Sequence, residues 1–139
     1  MTLGGLLEFF LGNTFSFVVF TSFGGFWFTL GATLTPSFNA YGAYAASPTT
    51  TDPSAGLTSA GFHASYAFFL LFMGLLSLMY LVCALRTNLI FVTIFLGLFL
   101  TFVLLAGSYW TLALGMKITS AKLQVAAGAW GLIATLAGW

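Results

Sequence analysis

Formal charges fall at five positions in the 139 residues, Glu8, Asp52, Arg86, Lys117 and Lys122, and their placement governs what the chain can become. Between them lie uncharged stretches over residues 9–51, 53–85, 87–116 and 123–139. A helix crossing the hydrocarbon core of a bilayer needs about 20 largely apolar residues. Three of the stretches meet that length and the last nearly does. Charged residues make up 4% of the chain and hydrophobic ones 60%, against about 25% charged in an ordinary soluble domain. Too few polar groups exist to cover a water-facing surface. The expected fold class is all-α: a polytopic membrane helix bundle whose partner is the lipid bilayer.

Other classes fall away on the same grounds. A net charge of +1 from three basic residues provides no patch for nucleic acid. One histidine, one cysteine and two separated acids cannot assemble the three or four ligands of a dedicated metal site, and no cofactor or enzymatic role is expected. Cys83, alone within an apolar run, cannot form an internal disulfide and reads as a helix-packing thiol. The N-terminal MTLGGLLEFFLGN carries an acid rather than a basic region before its apolar run, unlike a secretory signal.

The first expected span covers about residues 11–34 and is interrupted early by Gly12, Asn13 and Thr14. A polar segment over about 35–61 holds Pro36, Pro48 and Pro53 and reads as a loop outside the bilayer. His63 follows as an interfacial residue on the approach to a second span over about 65–85. Arg86-Thr87-Asn88 has room only for a tight turn between antiparallel helices. A third span is expected over about 89–112, then a short hydrophilic connection bracketed by Lys117 and Lys122. The fourth, over 123–139, would reach only about 25 Å. Both chain ends read as cuts through helices. The reading is thus one transmembrane domain over 1–139, incomplete, with four spans.

Two stripes carry small or polar residues at helical spacing. Thr93, Gly97, Thr101 and Ser108 share a face of the third span; Gly128, Gly131, Thr135 and Gly138 share one on the fourth. Such stripes let helices approach closely in lipid, and the sharper alternative is the lining of a small-solute pathway. In the first span Asn13, Phe17, Phe20, Phe23 or Gly24, and Trp27 form a stripe of their own, with Asn13 either a helix cap or a ligand for a polar solute.

The run GLLEFFLGNTFSFVVFTSFGGFWFTL, Gly5–Leu30, resembles the signature stretch of the acetate uptake transporter family. That family includes bacterial succinate–acetate transporters and fungal acetate and ammonia-production proteins. Glu8 matches an acid closing the second helix, Gly12-Asn13-Thr14-Phe15 the motif that follows, and Thr21–Trp27 an aromatic run in which Phe23 stands where the family carries tyrosine. Weaker similarity continues through Arg86, FVLLAG and the terminal GLIATLAGW.

The resemblance implies six transmembrane helices, of which four are represented here as helices three to six. It implies Glu8 and Arg86 on the cytoplasmic side, which overrules the count of basic residues that would place Arg86 outside. It implies plasma-membrane uptake of acetate and similar short monocarboxylates coupled to protons, with a homo-oligomeric protein and, from the long outer loop and aromatic richness, a fungal origin. The pathway constriction carries over to Phe23 and Leu98, and a position bearing on substrate size to Gly138. Beside that, the residues themselves offer hydrogen-bond donors at Asn13, Thr14, Thr93 and Thr101, and a candidate proton site at Glu8. The 139 residues alone are expected not to transport. The rival readings are a four-helix membrane scaffold and an ammonium or small-solute channel on the same fold.

Overall fold

The computed structural model describes residues 1–45 and 54–139. Its elements are α1 (Thr2–Phe10), α2 (Thr14–Leu34), α3 (Ala60–Ala84), α4 (Leu89–Ala113) and α5 (Lys117–Gly138), with 3-10 turns at Pro36–Phe38, Gly42–Tyr44 and Ala55–Thr58. No strand occurs among the described residues, and the all-α class is borne out. Pro48, Asp52 and Pro53 of the expected outer loop lie outside the described residues. Helices α2, α3 and α4 are each long and apolar enough to cross a membrane; the 25 residues of α3 or α4 extend about 37 Å, more than the roughly 30 Å of hydrocarbon. The chain forms two compact units, Met1–Gly56 and Leu57–Trp139.

In the first unit α1 and α2 are antiparallel and meet through glycine. A Cβ on Gly5 would stand 2.7 Å from Thr21 Oγ1, and one on Gly24 would collide with the Thr2 side chain. The joint between the two helices is set by Gly12 at φ 80°, a left-handed conformation open to glycine without a Cβ penalty. The Gly12 N–H donates to Phe9 C=O at 3.0 Å and the Asn13 N–H to Glu8 C=O at 2.9 Å, the paired bonds of a Schellman ending. The first helix therefore stops at Phe10 and α2 begins only at Thr14. Further on, Tyr41 is 2% exposed, and a Cβ on Gly56 would run into its carbonyl.

The second unit opens with Ser59, whose hydroxyl accepts the Phe62 N–H at 3.1 Å and so caps α3. Asn88 caps α4 by accepting the Ile90 N–H at 2.9 Å. Between α4 and α5 the Gly12 device recurs. Gly115 sits at φ 80°, its N–H donates to Leu112 C=O and the Met116 N–H to Thr111 C=O, both at 2.9 Å. Three residues, Leu114, Gly115 and Met116, suffice to reverse the chain, so α5 starts at Lys117 and takes in both lysines. The expected hydrophilic connection is instead the first turns of that helix. Lysine stems run along apolar surface while their ammonium groups reach water, so the charges do not forbid it.

Small residues make up most of what is buried in this unit, alongside Phe62, Leu70, Phe95 and Phe102. Ala67, Gly74, Ser77 and Ala84 of α3, Gly97, Ala106 and Ser108 of α4, and Ser120, Ala127 and Ala134 of α5 are buried, whereas Phe68, Phe72, Met79 and Val82 face outward. A protein in water does the reverse, hiding its large apolar side chains. Small residues inside and large ones outside suit lipid, where association depends on close backbone approach. Cys83 is exposed. It is therefore not the helix-packing thiol expected of it, because α3 packs through its neighbour Ala84 and through Ser77 and Gly74, two and three turns before.

The seams give a direct test. At Gly97 a Cβ would lie 2.9 Å from Ala134 Cβ and 3.1 Å from the Trp130 carbonyl, while at Gly128 it would meet nothing within 4 Å. Gly97→Val is expected to destabilise the unit by about 1–3 kcal/mol through overpacking. Gly128→Ala should be neutral or stabilising by up to about 1 kcal/mol. Reversible denaturation of the chain in mixed micelles measures both.

Candidate functional site

Six positions after the start of α1, Glu8 occupies the last full turn before the Gly12 joint. Because that joint folds residue 13 back beneath residue 8, the Asn13 side chain meets the acid: Asn13 Nδ2 donates to Glu8 Oε2 at 2.6 Å. Charge assistance makes such a bond shorter and stronger than one between neutral groups. Asn13 stands at the N-cap position of α2 yet makes no side-chain cap bond, so its amide serves the carboxylate. Glu8 is half-buried, and Asn13 and Thr14 are exposed. The arrangement places one acid, held by an amide donor, at a helix joint with open access.

Phe23 is buried at 5% exposure in α2, beside the close approach of Gly24 to Thr2. Of the aromatic stripe that contains it, Phe17 and Phe20 are half-buried and Trp27 is exposed. Phe23 belongs to the first unit and Leu98 to the second. Leu98 is half-buried in α4, one turn beyond Ile94. Gly138 is exposed near the end of α5, and a Cβ there would touch Ile94 Cδ1 at 3.6 Å, so an alanine would fit without strain.

The threonines put their protons to work within the protein. Thr93 Oγ1 donates to Leu89 C=O at 3.0 Å. Thr101 Oγ1 donates to Gly97 C=O at 2.8 Å and lies 3.2 Å from Ala127 C=O of α5. A hydroxyl has one proton to give and retains lone pairs that accept. In this arrangement both threonines present acceptors, rather than donors, to anything beside them.

One helical stride further, Ser108 Oγ lies 3.0 Å from Ser120 C=O and 2.8 Å from Ser120 Oγ, with both residues buried. Gly97, Thr101 and Ser108 thus line the α4–α5 seam, as the packing reading of the stripe required. Its partner Ser120 was not singled out from sequence, since it fell within the supposed connection. The signal was present: Ser120, Ala127 and Ala134 recur at intervals of seven, marking one helix face.

The GPR1/FUN34/yaaH family profile matches residues 1–139. The chain belongs to this family. Among its relatives, Protein alcS of Aspergillus fumigatus is 46% identical over 139 residues, covering 100% of this chain and 50% of its own length. Acetate permease A of Emericella nidulans is 32% identical over 138 residues, with 99% and 43% covered. Ammonia transport outward protein 3 of Saccharomyces cerevisiae is 32% identical over 135 residues, with 97% and 42% covered. The chain therefore spans half or less of the length of these relatives, all of them fungal. No solved structure matches. The family read from the Gly5–Leu30 run is borne out, and with it membership among proteins named for acetate and ammonia transport.

The buried serine pair yields a coupled prediction. Ser108→Ala and Ser120→Ala should each cost about 0.5–1.5 kcal/mol. The double variant should cost clearly less than their sum, because both singles break the same bond. A double-mutant cycle by denaturation in micelles reads the coupling.

Proposed function

We propose that this family member contributes α2, α3, α4 and α5 as membrane-crossing helices of a plasma-membrane transporter that takes up acetate and similar short monocarboxylates together with protons. The observation that carries this reading is the family match along the whole chain, joined to a relative named acetate permease. A carboxylate entering an apolar passage is costly unless donors replace its water or a proton neutralises it. No basic residue lies within α2, α3 or α4, which favours weakly held passage or passage of the protonated acid. Acceptor oxygens at Thr93 and Thr101 suit the protonated form, whose own O–H needs an acceptor.

In this reading Glu8 takes up the coupled proton, with Asn13 holding its carboxylate and Thr14 beside them at the start of α2. The family resemblance gives a constriction role to Phe23 and, separately, to Leu98, and Gly138 leaves room for the substrate. The functional protein has the length of its relatives and assembles as a homo-oligomer, and the 139 residues alone are inactive. Ammonia is the second substrate reading, favoured by the relative named ammonia transport outward protein 3; a passage without a fixed cation also admits a small neutral base.

Labelled-acetate uptake in a host lacking its own carrier tests the proposal, using the chain as it stands and the chain extended to its relatives' length. The extended protein should take up acetate and the shorter one should not. Glu8→Gln should flatten the pH dependence of uptake while leaving the preference for acetate over lactate. Leu98→Ala should let lactate and succinate compete several-fold better. Uptake of none of these acids, with ammonia release intact, would favour the second substrate.

A further inference from the structure

The end of the α3–α4 pair remote from the Arg86 turn gathers three polar aromatic side chains. His63 and Tyr66 stand three residues apart on α3, on one face of the helix. Tyr109 of α4 closes on both, with ring centroids 5.7 Å from His63 and 5.2 Å from Tyr66. Phe62 stacks on Tyr66 at 5.6 Å and 12°, and meets the His63 ring edge-on at 6.1 Å. Within this cluster His63 Nδ1 is buried and has no hydrogen-bond partner. Buried polar atoms are almost always paired, and one left alone carries its full desolvation cost. His63 is half-buried as a residue, and its ring lies against Phe62 of its own helix and Tyr109 of α4.

We propose that this cluster is a binding subsite for a short carboxylate, with the His63 imidazole and the Tyr66 and Tyr109 hydroxyls supplying its hydrogen bonds. The chemistry of the surroundings selects the class of ligand. Residues Leu57–Trp139 contain no aspartate or glutamate, so this unit holds no acid to balance a bound cation. Two phenols and an imidazole can each donate one hydrogen bond and accept others, a set that matches a carboxylate or a carboxyl group, which has both acceptor oxygens and, when protonated, an O–H. The subsite rests on the transport reading for its biological sense but not for its test.

His63 is the only histidine in the chain, so its ring nitrogens are observable one residue at a time. The chain, labelled with nitrogen-15, purified by a tag free of histidine and placed in lipid nanodiscs, is titrated with sodium acetate at fixed pH. Sodium chloride of equal ionic strength and methylammonium chloride serve as controls. The Nδ1 resonance should shift saturably with acetate, half-complete in roughly the millimolar range expected of a few weak hydrogen bonds, and with neither control. Tyr109→Phe should raise the half-saturating concentration about five-fold, the loss of one hydrogen bond. No shift, or equal shifts with acetate and chloride, overturns the subsite, as does indifference to Tyr109→Phe in a variant of unchanged helicity. Acetate uptake by the extended protein with a silent His63 refutes the subsite alone. A saturating His63 response without uptake refutes the transport reading alone.

Discussion

Inside a bilayer, helices gain nothing by hiding apolar side chains from one another, because the lipid tails are as apolar as leucine. Close backbone approach and shielded polar contacts are what remain to hold them. The second unit follows from this constraint. Gly74 lets α3 come within reach of Phe102 and Val103, Gly97 receives Ala134, Thr101 reaches the Ala127 carbonyl, and the Ser108–Ser120 pair closes the far end of the α4–α5 seam. Each contact needs a residue too small to push the helices apart. Many large side chains, Phe68, Phe72 and Met79 among them, go outward because nothing in lipid penalises them there.

Reversing direction at a membrane surface poses a separate problem, since a helix end leaves carbonyls unpaired. Gly12 and Gly115 solve it alike, each at φ 80° with two reverse hydrogen bonds. At Gly12 the solution has a chemical consequence, for the same geometry that ends α1 sets the Asn13 amide against Glu8. A charged group and its donor are therefore products of a turn. At Gly115 the consequence is economy of length: α5 can begin at once, with its lysines in the first turns.

Helices α2, α3 and α4 were legible in the sequence because uncharged stretches of that length have few other fates. Gly12 announced the break before α2. The start of α5 was misjudged because Lys117 and Lys122 were weighed as polar residues, when their long stems tolerate a helix at the interface. Cys83 was misplaced because composition says a thiol is apolar but not which way it faces. The bond from Asn13 to Glu8 depends on a left-handed glycine between them, which residue types alone do not reveal. Phe23, Leu98 and Gly138 were reached through family resemblance, because no periodicity in this chain distinguishes them from their apolar neighbours.

In the membrane the exposed face of α3 that carries Phe68, Phe72 and Met79 lies in lipid. Spin labels at Phe72 and Met79, each introduced as cysteine with Cys83 replaced by serine, report their surroundings in nanodiscs through collisions with oxygen, which concentrates in lipid, and with a water-soluble nickel chelate. The account expects high oxygen and low nickel accessibility at Phe72, in the middle of the helix, with Met79 also favouring oxygen. Nickel accessibility at Phe72 equal to that of a label in the Arg86–Asn88 turn would contradict it.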